Sequence, residues 1–306
     1  MRHIDVHRDA PVMSRRDFLI GSAAAASLVK VAQAQDAATR AKLDRISLMT
    51  NDFDSILPEI WDRSKEVVPK GLDMMDLPDA VADRLHLHNL EVCSINLLSM
   101  EPSYIRKFKE RVDKAKSKVV DLIVEIDPPE TRYRGRISAC SPDPAMRAKA
   151  VEMTKQWIDI AAAIECPSIM INQGPGDLRE NLEPVIEALR TLAAYGKSNN
   201  VLILMENRGK AATPEALVNL MKASGTFANP DIGNFPDEEV RERGLRLMYP
   251  LARTVSHVKV NQRFDFAKAI RISKEMGFKG WYSIETGGSD PWSSVQKVID
   301  ALLENL

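Results

Sequence analysis

Three cysteines in 306 residues, Cys93, Cys140 and Cys166, are too few, odd in number and too widely spaced for a disulfide framework or a CxxC metal knuckle. Glycine is scarce as well, with 14 residues, and none falls in "SLMTNDFDSIL", where an open doubly wound sheet would carry its phosphate loop. No sign of charge dominates. Beyond residue 34 stand 37 Lys and Arg against 40 Asp and Glu, so the chain offers no polybasic face to nucleic acid or to an anionic membrane. The apolar stretch at 18–31 is about 14 residues long and contains Lys30, which is short of the roughly 20 residues a membrane span needs. Histidine is rare too, with only three beyond residue 34.

What is present at the start has the parts of an export signal. In "SRRDFLIGSAAAASLVKVAQAQ", Arg15 and Arg16 precede the apolar run, and Ala32, Gln33 and Ala34 supply the small residues of a cleavage site. Ser14, Arg15, Arg16, Phe18 and Leu19 resemble a twin-arginine signal. That resemblance implies removal of residues 1–34, passage through the twin-arginine export machinery as a folded protein, and a periplasmic or otherwise exported mature domain over 35–306. No stable membrane anchor is expected, and no cysteine stands at the end of the leader to take a lipid.

Beyond the leader, short runs rich in Val, Ile and Leu predict strands at 45–50, 90–98, 119–126, 168–173, 201–207, 226–234, 255–260 and 281–286. Helical periods lie between them. In 144–164, Ala150, Met153, Trp157, Ile160 and Ile164 recur at steps of three and four. The segment 182–200 closes on Gly196 and two asparagines, which reads as a stop and a turn, and 213–224 opens with Thr213 as N-cap and Pro214 in the first helical position. Eight strands alternating with helices predict an α/β protein, a (β/α)8 TIM barrel. The polar stretch 128–143 reads as a loop at the barrel mouth or beside it.

In this fold the chemistry sits at the carboxyl ends of the strands. Four strands of the second half end on a potential metal ligand: Glu206 in "LILMENRG", Asp231 in "NPDIGNF", His257 in "TVSHVKVNQ" and Glu285 in "YSIETGG". Taken singly, each acid is equally well a turn or capping residue, and a lone histidine in a strand is more often a satisfied core group. Together, three carboxylates converging on one mouth repel one another unless a cation lies among them. Alternation puts Lys259 on the same face as His257, roughly 7 Å along the strand. A buried lysine needs an anion whatever its role, so Lys259 either serves a substrate oxygen or balances the charge of Glu206 or Glu285.

The motifs "MENRG", "PDIGNF", "SHVKV" and "GWYSIETGG", in this order, resemble the sugar phosphate isomerase/epimerase family of xylose-isomerase-like TIM barrels, as do "KQWIDIAAAIECPSIMINQG" and "LEVCSINLLS" upstream. The resemblance implies one divalent ion held by Glu206, Asp231, His257 and Glu285, with the two glutamates moving a proton next to a substrate carbonyl and Lys259 assisting. An oxygen-rich set with one imidazole favours Mn or Mg, with Zn, Co and Fe open. The substrate implied is a small carbohydrate, unphosphorylated if the protein is exported. Proton transfer through an enediolate would isomerise or epimerise it. A lyase or hydratase acting on keto-glycosides needs the same ion and base, and a carbohydrate-binding barrel without turnover is the third reading. A nucleic-acid endonuclease of the same fold would need more histidines and a basic face. Asn96, Asn172, Arg208 and Asn234 are the candidate substrate contacts. Many relatives carry histidine where Arg208 stands and some epimerases carry it where Asn234 stands, so a hexulose epimerase activity does not transfer intact. His86 and His88 form an H-x-H pair ahead of the second strand, at the bottom of the barrel, and are expected to lie at the surface or pack rather than bind a metal.

Overall fold

A computed structural model describes residues 36–126, 137–171, 182–208 and 213–306. Residues 36–42 are helical and form a unit of their own, and Leu43–Leu306 form the barrel. Its strands are β1 (Ile46–Met49), β2 (Asn89–Cys93), β3 (Lys118–Val124), β4 (Ser168–Ile171), β5 (Leu202–Glu206), β6 (Phe227–Asn229), β7 (Val255–Val258) and β8 (Trp281–Ile284). Each is followed by a helix: α1 (Leu77–Leu85), α2 (Pro102–Lys114), α3 (Pro144–Ala163), α4 (Glu183–Ser198), α5 (Pro214–Ser224), α6 (Glu238–Met248), α7 (Phe266–Glu275) and α8 (Pro291–Asn305). Among the described residues no helix is long and apolar enough to cross a membrane.

All pairings are parallel, in the order β6-β5-β4-β3-β2-β1-β8-β7. The ring closes between β6 and β7 only through isolated bridges, Ala228 to Ala252 and Asp231 to His257, where Ile232 N donates to His257 O at 3.1 Å. Every expected strand is present, and two, β2 and β6, stop five residues short of their expected ends at 98 and 234. Pro230 has no amide proton to extend β6. At the end of β2 the hydroxyl of Thr50 accepts the Cys93 amide at 2.8 Å, and the chain turns through a 3-10 turn at Ser94–Asn96.

The caps follow sequence chemistry. Thr213 Oγ1 accepts the Ala216 amide, Pro214 opens α5, and Gly225 closes it in the left-handed region at φ +75°. Gly196 corrects the expected stop, because α4 runs on to Ser198 and a Cβ at 196 would lie 2.4 Å from the carbonyl oxygen of Val201. The glycine there allows the helix to approach the start of β5. His86 is the left-handed C-cap of α1 and lies exposed at the surface, while His88 is half-buried and reaches the Ala115 carbonyl at 3.2 Å. Of the polar stretch 128–143, residues 128–136 lie outside the described residues, whereas Ser138 to Ser141 are buried and Asp143 caps α3.

Apolar side chains pack in two layers. The larger one lies between strands and helices; the smaller fills the barrel interior with Met49, Cys93, Val120, Ile123, Met170, Leu204 and Val255. The interior is not wholly apolar, and its polar members lead upward to the mouth.

Candidate active site

The four strand-end residues meet. Glu206, Asp231, His257 and Glu285 each offer one ligand atom, and these atoms all lie within 4.8 Å of one another. Opposite ligands of one divalent ion with bonds of 2.1 to 2.5 Å are roughly 4.2 to 5 Å apart, so the set is already near coordinating size. Glu206 closes β5, His257 points inward from β7, Asp231 follows β6 and Glu285 follows β8. The three contributed by β5, β6 and β7 are buried, and Glu285 is about one-third exposed, its side chain at 32%.

Main-chain and amide contacts set the acids. Asp231 Oδ1 accepts the Gly233 amide at 2.7 Å, which turns the loop and leaves Oδ2 toward the cluster. Asn207 holds the same loop from β5, accepting the Asp231 amide at 2.8 Å and donating to its carbonyl at 2.9 Å. Glu285 N donates to Val258 O at 2.9 Å, which continues the ladder to the site. Beside it, Thr286 N donates to Asp52 Oδ1 at 2.7 Å, so the loop after β1 also fixes the loop after β8.

His257 Nδ1 is 3.0 Å from Glu206 Oε1 and 3.8 Å from Glu285 Oε2, which aims that nitrogen at the cluster. Burial opposes the charge on both partners of this pair. The charges of Glu91 and Glu206 nevertheless hold His257 well above the usual imidazole range, and His257 with Arg208 and Lys259 brings Glu206 down to about 2. Asp231 is pushed the other way, well above the carboxylate range, by burial and then by Glu285.

Lys259 lies over Gly233, where any Cβ would meet its Cδ at 2.7 Å, and its ammonium reaches Asp231 Oδ2 at 2.7 Å and Glu285 Oε2 at 2.5 Å. Burial works against that charge, but Asp231 and Glu285 overcome it and raise the lysine further. Both carboxylate oxygens nevertheless lack an aligned hydrogen bond. Carboxylate oxygens that are buried and without a directed donor suit a point cation. A divalent ion therefore fits this donor set of three carboxylates and one imidazole, which is also the oxygen-rich chemistry of Mn and Mg sites.

The weaker candidates divide. Asn234 stands at the site, with Nδ2 3.4 Å from Glu206 Oε1. Arg208 bridges the rim, 3.8 Å from Glu125 and 3.9 Å from Glu206, with a third of its side chain exposed. Asn96 is placed differently from the expected substrate contact. It is fully buried, accepts from Thr50 Oγ1 at 2.6 Å and donates to Pro58 O at 3.3 Å, which leaves no edge toward the mouth. Asn172 lies outside the described residues.

Four polar groups around the site escaped the sequence reading: Asp52, Glu91, Asp121 and Asn229, all buried. A signal existed for two of them. Glu91 in "NLEVC" and Asp121 in "KVVDLIV" are acids inside strands whose neighbours are buried on both faces, an expensive placement that needs partners.

A parallel eight-stranded barrel with acids and an imidazole gathered at its carboxyl-terminal mouth defines a class of barrel suited to a metal centre. The chain belongs to the xylose isomerase-like TIM barrel family, whose profile matches residues 65–304. No curated protein matches it significantly in sequence. Solved structures share the fold at low identity. D-allulose 3-epimerase from Methylomonas sp., in complex with D-allulose, is 14% identical with a TM-score of 0.63 over 86% of this chain and 98% of that one. A xylose isomerase-like TIM barrel protein from Mycobacterium smegmatis in complex with magnesium is 15% identical with a TM-score of 0.61, covering 85% and 95%. 3-Keto-D-glucoside 4-epimerase from E. coli, in its apo form, is 12% identical with a TM-score of 0.62, covering 76% and 95%.

Proposed function

We propose that the protein is a divalent-metal-dependent sugar isomerase or epimerase that moves a proton next to a carbonyl. The observation that carries this is the convergence of Glu206, Asp231, His257 and Glu285 within 4.8 Å. A divalent ion held there would polarise a substrate carbonyl and its neighbouring hydroxyl, which makes the adjacent C–H more acidic. Glu206 and Glu285 come from strands on different sides of the mouth, so one carboxylate can take that proton while the other returns one to the same carbon or to its neighbour. Lys259, already beside Glu285, is placed to donate to the oxygen that gains charge. Arg208 and Asn234 border the remaining space and would orient substrate oxygens. The similar structures that are epimerases, D-allulose 3-epimerase and 3-keto-D-glucoside 4-epimerase, take a ketose and a keto-glucoside, which supports an unphosphorylated carbohydrate as the substrate class. The leader resemblance supports an exported enzyme.

Metal content and proton exchange test the reading together. Wild-type protein should hold about one Mn2+ per chain, and Glu206→Gln and His257→Ala should each bind it at least tenfold more weakly. Unchanged stoichiometry and affinity in both variants would remove the metal centre from the proposal. Incubating ketoses and 3-keto-glucosides in heavy water should then place deuterium on a carbon next to the carbonyl. Loss of the glycosidic group from a keto-glucoside, rather than exchange alone, would identify the lyase alternative.

A further inference from the structure

Two acids deep in the barrel have no part in that chemistry. Glu91 and Asp121 are wholly buried and are direct register partners across β2 and β3. Their meeting depends on a bulge. The register slips between Leu90 and Glu91, so that Leu90 pairs with Val119 but Glu91 pairs with Asp121. On β3, Val119 and Leu122 pack outward against the helices while Val120 and Ile123 pack inward, and the extra residue in the bulge turns Asp121 inward beside Glu91.

The hydrogen bonds of the pair run in two directions. Asp121 accepts from Ser168 Oγ, which lies 2.9 Å from Thr254 Oγ1. Glu91 Oε1 lies 2.9 Å from His257 Nε2, on the edge of the ring opposite the cluster. The remaining oxygens, Glu91 Oε2 and Asp121 Oδ2, have no donor. Two orphaned acceptors on register partners would be satisfied by one proton between them, and burial, followed by the charge of Glu91, pushes Asp121 above the carboxylate range, which makes Asp121 the better carrier of that proton. The amide nitrogen of Asn229 is also 2.8 Å from Nε2 and can only donate to it, because the Asn229 oxygen is engaged by the His257 main-chain amide at 3.2 Å. A ring that gives Nδ1 to a metal carries its proton on Nε2; the Asn229 amide then has to turn away from that nitrogen, and Glu91 is the neighbour that accepts.

We propose that Glu91 is a positioning residue for the metal centre, reaching across the barrel to take the Nε2–H of His257 and so presenting Nδ1 to Glu206, Asp231 and Glu285, while Asp121 holds Glu91 in place. The inference rests on the metal-centre reading above. Outer partners of a ligating histidine fix the ring and its tautomer, and losing one costs about 10 to 100-fold in metal affinity.

Equilibrium dialysis with Mn2+ tests it in the full chain. Glu91→Gln, which keeps the volume and removes the charged acceptor, should bind Mn2+ about 10 to 100-fold more weakly than wild type. Asp121→Asn still offers a donor to Glu91 Oε2 and should stay within about threefold of wild type, which random damage to a polar core would not predict. A spectroscopic measurement covers the case in which a variant fails to fold. In 15N-labelled wild type loaded with Mg2+, the His257 ring should carry its proton on Nε2, in a hydrogen bond. Equal Mn2+ affinity of folded Glu91→Gln and wild type, or a ring protonated on Nδ1 in the loaded protein, would overturn the positioning role and leave the metal centre standing. A wild type that binds no Mn2+ would overturn both.

Discussion

At the scale of single residues, the site sets the Lys259 ammonium against four ligand side chains. Lys259 already pairs with the Asp231 and Glu285 oxygens that a metal would take, so an incoming ion competes with it. Lys259→Met should therefore lower the stability of the metal-free protein by about 2 kcal/mol in urea unfolding, less than the 3–5 of a fully buried pair because the lysine side chain is 22% exposed. The same variant should bind Mn2+ more tightly, by about tenfold, since its competitor is gone; weaker binding would show that the lysine assists loading. The proton on His257 sets the pH dependence. Its folded pKa is raised, so the proton is held more firmly in the native state than in the unfolded chain. That contribution to metal-free stability is complete below the ordinary imidazole range and fades as pH rises through the folded value. Glu206 has the opposite sign: depressed to about 2, it stabilises above the ordinary carboxylate range and its contribution is lost as pH falls toward that value. Metal needs the ring without its Nδ1 proton, so Mn2+ affinity measured by titration between pH 6 and 8 should climb by up to about tenfold per pH unit. A flat profile would mean that His257 is not a ligand.

At the scale of elements, the reading of the sequence succeeded where periodicity alone decides the geometry. His257 and Lys259 share a face because strands alternate, and Glu206, Asp231 and Glu285 reach one mouth because parallel strands all end on the same side. It failed where a single hydroxyl or a slipped register intervenes. The apolar run puts Asn96 in a strand to 98, but the Thr50 hydroxyl takes the Cys93 amide and the chain leaves the ladder before Asn96 can face the mouth. Asp121 was invisible as a site residue because strict alternation does not turn it toward Glu91; only the bulge does. Glycines mislead for a similar reason, since a helix stop and a close approach look alike in sequence. Gly196 is the second kind, so Gly196→Ala should force α4 away from the start of β5 and cost about 1–3 kcal/mol in urea unfolding. A cost below about 0.5 kcal/mol would show that the helix shifts freely at that point. Thr213→Ala, by contrast, should cost about 1 kcal/mol through the lost cap.

At the scale of the whole molecule, two features bear on how the protein matures. The twin-arginine-like leader predicts that a reporter fused behind residues 1–40 appears outside the cytoplasm and that changing Arg15 and Arg16 to Lys retains it inside; export of both forms alike would refute this route. The other feature is the ring's uneven closure. Seven neighbouring pairs of strands are laced by ladders of paired residues, but β6 and β7 touch through isolated bridges, one of which joins Asp231 directly to His257. Two proposed ligands thus sit on opposite lips of the weakest joint in the ring. A cation gripping both would act as a buckle, so amide protons along that joint should exchange more slowly once Mg2+ is added, while those on the far side of the barrel keep their pace.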